Sequence, residues 1–258
     1  MTPPTFSMYS VYADMQSAGV IEVPLAAGGG FTPDVAQILE RCQPSTKLIF
    51  LCSPNNPTGN LVAPSDLERL LRARRDRSMI VVDEAYIEFS DAQSAAGWLN
   101  RFDNLVVLRT LSKAYALAGA RCGAIIAATP VIDLLAPMLP PYAFSAPTTA
   151  TVLEALSDDG LATAATMIAR TRIERERVSA ALASLECIAH VWPSAANFIL
   201  VRFADPDAAE RHLAESGILV RTYDDKPALE DCARITIGEP AENDRLLAAL
   251  AAVPEVVT

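Results

Sequence analysis

Three short stretches, "KLIFLC" (47–52), "MIVVDEAY" (79–86) and "NLVVLR" (104–109), constrain the fold of this chain more than anything else in it. Each is a run of consecutive apolar residues, not an alternation of apolar and polar ones. A strand with one wet face alternates; a strand without one is covered on both faces, the condition of a parallel sheet between layers of helix. "VIEVPL" (20–25) and "CGAIIA" (122–127) read as two more strands of the same sheet. Between the first and second of the three runs, "PSDLERLLRARR" (64–75) opens Pro-Ser-Asp, as a helix start does. The first 147 residues therefore read as an α/β domain built on a mostly parallel sheet.

After "LPPYAFSAPTTA" (139–150) the texture changes. Residues 148–186 form long alanine-rich helices carrying the charged run "RTRIERERV" (170–178). "NFILVRF" (197–203), a helix at 206–216, "ILVRTY" (218–223), "ARITIG" (233–238) and a last helix at 241–252 follow. Fewer strands with longer connections fit a smaller α+β domain over residues 148–258.

Charge removes several function classes. The formal net charge is -10, which repels a phosphate backbone and argues against nucleic acid as a partner. The one basic cluster, Arg72, Arg74, Arg75 and Arg77, falls near a predicted helix end and reads as a solvated face that suits the helix dipole. Cysteines 42, 52, 122, 187 and 232 are odd in number and lack a CxxC pair, so they read as free thiols of a reducing compartment. His190 and His212 stand alone, and no metal site is expected. "MTPPTFSMYS" lacks the layout of a signal peptide, and the apolar stretch 123–144 is broken by Asp133 and several prolines. The expectation is a cytoplasmic protein without a membrane span. "AAGGG" (26–30) lacks the spacing of a dinucleotide-binding turn and reads as a flexible loop.

Ligands of an open parallel sheet bind beyond the carboxyl ends of its strands. Three of the apolar runs finish in polar residues there: "SPNNPTG" (53–59), "DEAY" (83–86) and "RTLSK" (109–113). Asn56, Asp83, Tyr86, Thr110, Ser112 and Lys113 are thus expected along one edge. Singly, each has a structural explanation: Asn-Pro and Thr-Gly make turns, Asp83 could cap a helix, and Lys113 could reach solvent. Their coincidence at three strand ends points to a site.

"SPNNPTG", "VVDEAY" (81–86) and "TLSKAYALAGARCG" (110–123) resemble the signature segments of fold-type I pyridoxal-phosphate (PLP) aminotransferases. The sequence is most similar to the histidinol-phosphate aminotransferase branch, which also shows segments like "PTFSMY" (4–9), "PPYAFS" (140–145), "ANFILVRF" (196–203) and "RITIG" (234–238). The resemblance runs in order from residue 3 to about 250. It implies a fold-type I PLP-dependent transferase, with the large domain N-terminally truncated. It implies that Lys113 joins the cofactor aldehyde and shuttles the substrate Cα proton, while Asp83 pairs with the ring nitrogen. Asn56 and Tyr86 would bond the phenolic oxygen. Thr110, Ser112 and Arg121 would hold the phosphate, and Phe6 would stack on the ring, its alternative being plain core. Arg234, otherwise a surface ion pair, would grip the substrate carboxylate, with Asn197 as a second candidate.

The same resemblance implies histidinol phosphate as amino donor and 2-oxoglutarate as acceptor, in histidine biosynthesis. It also implies a homodimer. An aromatic amino-acid aminotransferase and a threonine-phosphate decarboxylase share the fold and stay open. Relatives carry a substantial segment ahead of "PTF", including a Gly-rich turn whose helix N-terminus receives the phosphate. A non-catalytic fragment lacking that segment is the alternative from another class.

Overall fold

The computed structural model describes residues 1–223 and 226–253; the last residues of the second expected domain lie outside the described residues. The first sheet contains β1 (Leu48–Cys52), β2 (Met79–Asp83), β3 (Leu105–Thr110) and β4 (Gly123–Ala127), in that spatial order. β1, β2 and β3 are parallel, as the unbroken apolar runs require. Ile49, Leu51, Ile80, Val82, Leu105 and Val107 form one core with the helices α2 (Val35–Arg41) and α3 (Pro64–Ala73). α3 presents Leu67, Leu70 and Leu71 to it, the i, i+3, i+4 spacing of one helix face.

Several expectations are corrected here. β4 runs antiparallel to β3, because the chain between them doubles back without a crossover helix. The Leu111 amide donates to the Cys122 carbonyl at 3.1 Å, closing that return. The sheet is not covered on both faces throughout: Ile125 of β4 is 47% exposed, and Leu134, Met138 and Tyr142 are exposed after it. Residues 20–25 form no strand. They lie beside the N-terminus, with Val23 N donating to Met1 O (3.0 Å) and Leu25 N to Pro3 O (2.6 Å). Pro3 and Pro4 have no N–H to return, which stops the ladder short. "AAGGG" folds into a tight 3-10 turn at Ala27–Gly29. Arg74 is not part of a solvated face. It is 6% exposed and donates to Ser78 Oγ and to the carbonyls of Gln43 and Thr46, whereas Arg72 and Arg75 form exposed ion pairs with Glu68 and Asp103.

The second sheet is antiparallel throughout: β5 (Ile188–Val191), β6 (Phe198–Phe203), β7 (Arg221–Thr222) and β8 (Cys232–Thr236), in the order β5-β6-β8-β7. β5 has no counterpart in the expected elements, and "ILVRTY" shrinks to the two-residue edge strand β7. The C-terminal part of α6 (Asp158–Leu182), α7 (Pro206–Glu215) and α8 (Pro240–Ala251) pack on this sheet through Val178, Leu182, Leu213, Leu246 and Leu250. α7 starts where the Asp205 side chain accepts from Ala208 N (2.9 Å) with Pro206 in the first turn.

Several contacts join the two sheets, two of them to backbone carbonyls. Arg175, buried within the charged run, donates through Nη1 to Phe89 O (2.9 Å) beyond β2 and to Ala196 O (3.0 Å) before β6. Gly59 closes the "SPNNPTG" turn at φ +77°, and its carbonyl accepts from Ala195 N at 2.8 Å. A Cβ there would stand 2.5 Å from Ser194 Oγ, so both the conformation and the approach require glycine. Among the described residues, no helix is long and apolar enough to cross a membrane.

Candidate active site

The carboxyl ends of β1, β2 and β3 stand side by side because Cys52 pairs with Asp83 and Asp83 with Leu108 in the parallel register. Sheet bonding continues one step past the strands, with Ser53 N donating to Asp83 O and Glu84 N to Leu108 O. This fixes the three polar loops at one edge, as the apolar runs predict.

Asp83 sits at the centre. Its Oδ2 accepts from the Tyr9 hydroxyl at 2.6 Å and its Oδ1 from Ala85 N at 3.0 Å. Burial pushes its carboxyl above the usual range; the Tyr9 and Ala85 donors and the Lys113 charge pull it back. Tyr9, on the helix α1 (Met8–Met15), stacks on Phe50 of β1 and meets the edge of Phe6. Phe6 itself is 40% exposed, so the plain-core alternative fails.

Tyr86 is buried, edge-on to Phe198 of β6, and burial pushes its phenol up to about 12 despite the nearby Arg234. Lys113 Nζ lies 5.4 Å from the Tyr86 ring centroid, a cation–π approach. Lys113 is exposed, three residues past the end of β3. Its amine is held below the ordinary value by partial desolvation first, then by Arg234 and Arg121, against the pull of Asp83. No carboxylate forms an ion pair with it among the described residues. One amine thus feels the charges of three residues brought from β2, from β8 and from the loop before β4.

Arg234 on β8 donates from Nη1 to Asn56 Oδ1 at 2.7 Å, with its guanidinium carbon 5.0 Å from the centre of the Phe198 ring. It is not the surface ion pair of the alternative reading. Its Nε is buried without an acceptor among the described residues. Because a guanidinium only donates, Asn56 must present its carbonyl to Arg234, which leaves the Asn56 NH2 available to another acceptor. The Thr110 hydroxyl donates to Ser112 Oγ (2.9 Å) and accepts from Ser112 N (3.1 Å). Arg121, at φ +51°, donates to Ala118 O and keeps its guanidinium exposed. Asn197 is half-buried before β6, its carbonyl accepting from Ile237 N, and no side-chain contact among the described residues joins it to this set.

Sequence reasoning passed over Tyr9, which reads as an ordinary helix aromatic; its place three residues after Phe6, one helical turn on, was the available signal. It also passed over the buried Glu84. Glu84 accepts from Ala95 N (2.6 Å) and faces Arg109 at 3.6 Å; Arg109 also pairs with Glu88 at 2.7 Å, tying the loop after β2 to the end of β3. Among the described residues, no group of three or more metal-ligating side chains is present.

The donor set suits a small anionic aromatic aldehyde: a carboxylate for a ring cation, a primary amine of lowered basicity, hydroxyls with an arginine for a phosphate, and a buried guanidinium N–H without an acceptor. A family model for class I and II aminotransferases matches residues 1–250. The histidinol-phosphate aminotransferase of Xanthomonas euvesicatoria pv. vesicatoria is 47% identical over all of this chain, which spans 71% of that protein. The solved histidinol-phosphate aminotransferase of Clostridium acetobutylicum superposes with a TM-score of 0.88 at 22% identity, over 98% of this chain and 76% of that one. That of Sinorhizobium meliloti, solved in complex with pyridoxal-5'-phosphate, gives a TM-score of 0.82 at 26% identity, over 96% of this chain and 68% of that one.

Proposed function

The chain belongs to the class I and II aminotransferase family, and from that premise we propose that it transfers the amino group of histidinol phosphate to 2-oxoglutarate, with PLP as cofactor and histidine biosynthesis as its setting. The observation that carries the reading is the convergence of Lys113, Asp83 and Arg234 from separate strands onto one strand-end edge. When bound, PLP supplies an aldehyde for the amino group and a protonated ring that draws off the electron pair left at the substrate Cα.

The residues divide the remaining work. Asp83 offers a fixed carboxylate to the ring cation, held by donors on both of its oxygens. Lys113 would anchor the cofactor, and its amine would hold or move the proton at the substrate Cα. Its lowered basicity keeps a larger neutral fraction near pH 7 than a free lysine has, which a proton acceptor requires. Asn56, with its carbonyl committed to Arg234, would have its NH2 free for the cofactor's phenolic oxygen, and the buried Tyr86 hydroxyl, kept protonated, would be a second donor to it. Thr110, Ser112 and Arg121 bind the phosphate. Phe6 covers the ring. Arg234 meets the anionic group of each substrate in turn, the carboxylate of 2-oxoglutarate and the phosphate ester of histidinol phosphate; Asn197 is the second candidate there. A homodimer, implied by the resemblance, belongs to the proposal and is read by sedimentation velocity.

Absorbance tests it. Added PLP should produce a violet band, and Lys113→Ala should abolish both the band and turnover. Histidinol phosphate should bleach the band faster than phenylalanine or threonine phosphate. A folded sample with no band, or a band indifferent to Lys113→Ala, would reject the assignment.

A further inference from the structure

We propose that Tyr9 is a positioning residue for the cofactor: its hydroxyl holds Asp83 in the ionised, correctly turned state that a cationic ring nitrogen requires. The inference rests on the PLP reading above and adds to it a residue from outside the strand-end loops.

The Tyr9–Asp83 bond, at 2.6 Å, is short and joins residues 74 apart in sequence. The phenol is fixed before it bonds. Its ring stacks on Phe50 at 5.1 Å with 26° between planes, and Phe6 packs edge-on at 5.5 Å, so the hydroxyl has little freedom to leave. Ala85 N binds the other carboxylate oxygen at 3.0 Å. With one donor on each oxygen, the plane of the carboxylate is set and one lone-pair direction per oxygen stays open.

The groups facing Asp83 come from every neighbouring element: Tyr9 from α1, Cys52 from β1, Tyr86 from its own segment and Lys113 from the loop after β3. The Cys52 thiol is pushed up to about 12 by burial and then by Asp83, and the Tyr9 phenol is also raised. Both therefore remain neutral and add no competing charge near pH 7. Burial favours the protonated carboxyl; Tyr9, the Ala85 amide and Lys113 oppose it, and Tyr9 contributes most among those three. Lys113 leaves that balance when it joins the cofactor, which makes the phenol matter more in the loaded site. Tyr9 also ties ring covering to ring charge, since the side chain that holds Asp83 is the one against which Phe6 rests.

The experiment is PLP affinity against pH, read by fluorescence quenching, for the unsubstituted chain and Tyr9→Phe, which removes one oxygen and keeps both ring contacts. Loss of one charge-assisted bond raises the carboxyl pKa, so protons displace the carboxylate sooner as pH falls. The dissociation constant of Tyr9→Phe should rise roughly tenfold at about pH 6 and stay within about threefold at about pH 8. In an Asp83→Asn background, Tyr9→Phe should change affinity less than about twofold, because the two act as one unit. Equal pH profiles for the unsubstituted chain and Tyr9→Phe, or an undiminished effect in the Asp83→Asn background, would overturn the inference while leaving the PLP reading intact. No PLP binding by the unsubstituted chain would overturn both. Should Tyr9→Phe lack a cooperative melt, Asp83→Asn alone decides: a PLP affinity and pH profile unchanged from the unsubstituted chain would refute the proposal.

Discussion

Arg234 shows how much one side chain can settle. It is a single arginine on a strand, yet its fork reaches across to Asn56 in the first-sheet loops and keeps a buried N–H without an acceptor among the described residues. Lysine at this position keeps the charge but loses the planar fork, so Asn56 loses its fixed donor and the substrate anion its second bond. Arg234→Lys should retain the PLP absorbance while kcat/KM for glutamate falls about a hundredfold, near 3 kcal/mol of lost interaction. A fall confined to PLP affinity would contradict that. Legibility at this scale follows from contrast. Asp83, Tyr86 and Lys113 stand out in sequence because they end apolar runs, where a polar residue is unexpected. Tyr9 and Arg74 do not. Tyr9 acts through a carboxylate 74 residues away, and Arg74 is buried only because two carbonyls on a separate loop receive it. Such partners carry no local pattern.

At the scale of elements, apolar runs revealed β1, β2 and β3 and their parallel pairing, but not the direction of β4, whose short run reads alike both ways. β4 became antiparallel through a turn-rich return, residues 111–122, that carries no periodic pattern. β5 escaped, and β7 was read too long, for the opposite reason: four and two residues are too short to show a period. The junction between sheets depends on α6, whose charged run was legible as helix but whose buried arginine was not. Arg175→Ala would leave Phe89 O and Ala196 O buried without their donor, at about 1–3 kcal/mol for each unsatisfied group. The expected total is a loss of about 2–4 kcal/mol in urea unfolding, well beyond an ordinary surface change. A companion Arg172→Ala, removing an exposed pair with Asp91, should cost less than about 1 kcal/mol. Equal losses would mean that the Arg175 bonds do not hold the sheets together.

For the whole molecule, the site couples stability to both cofactor and pH, because its groups come from both sheets. Burial raises the Asp83 and Glu84 carboxyls in the folded chain. The folded state then holds protons that the unfolded state releases from about pH 4 upward, so these two groups lower stability as pH rises through the interval between ordinary and raised values. A ring cation placed against Asp83 reverses the sign for that residue by favouring the ionised form. PLP at a hundredfold excess over its dissociation constant adds about 2.7 kcal/mol to any fold that binds it, or roughly 5 °C in Tm for a chain of this size. The linkage makes that increment depend on pH: it should be larger at about pH 7 than at about pH 5, and Asp83→Asn should flatten the difference. Calorimetry with and without PLP at both values measures it, and the melt should stay a single transition, since Arg175, Gly59 and Arg234 all bridge the sheets. An increment independent of pH would mean that Asp83 does not face the bound cofactor's charge, while two separate transitions would place the cofactor on one sheet alone.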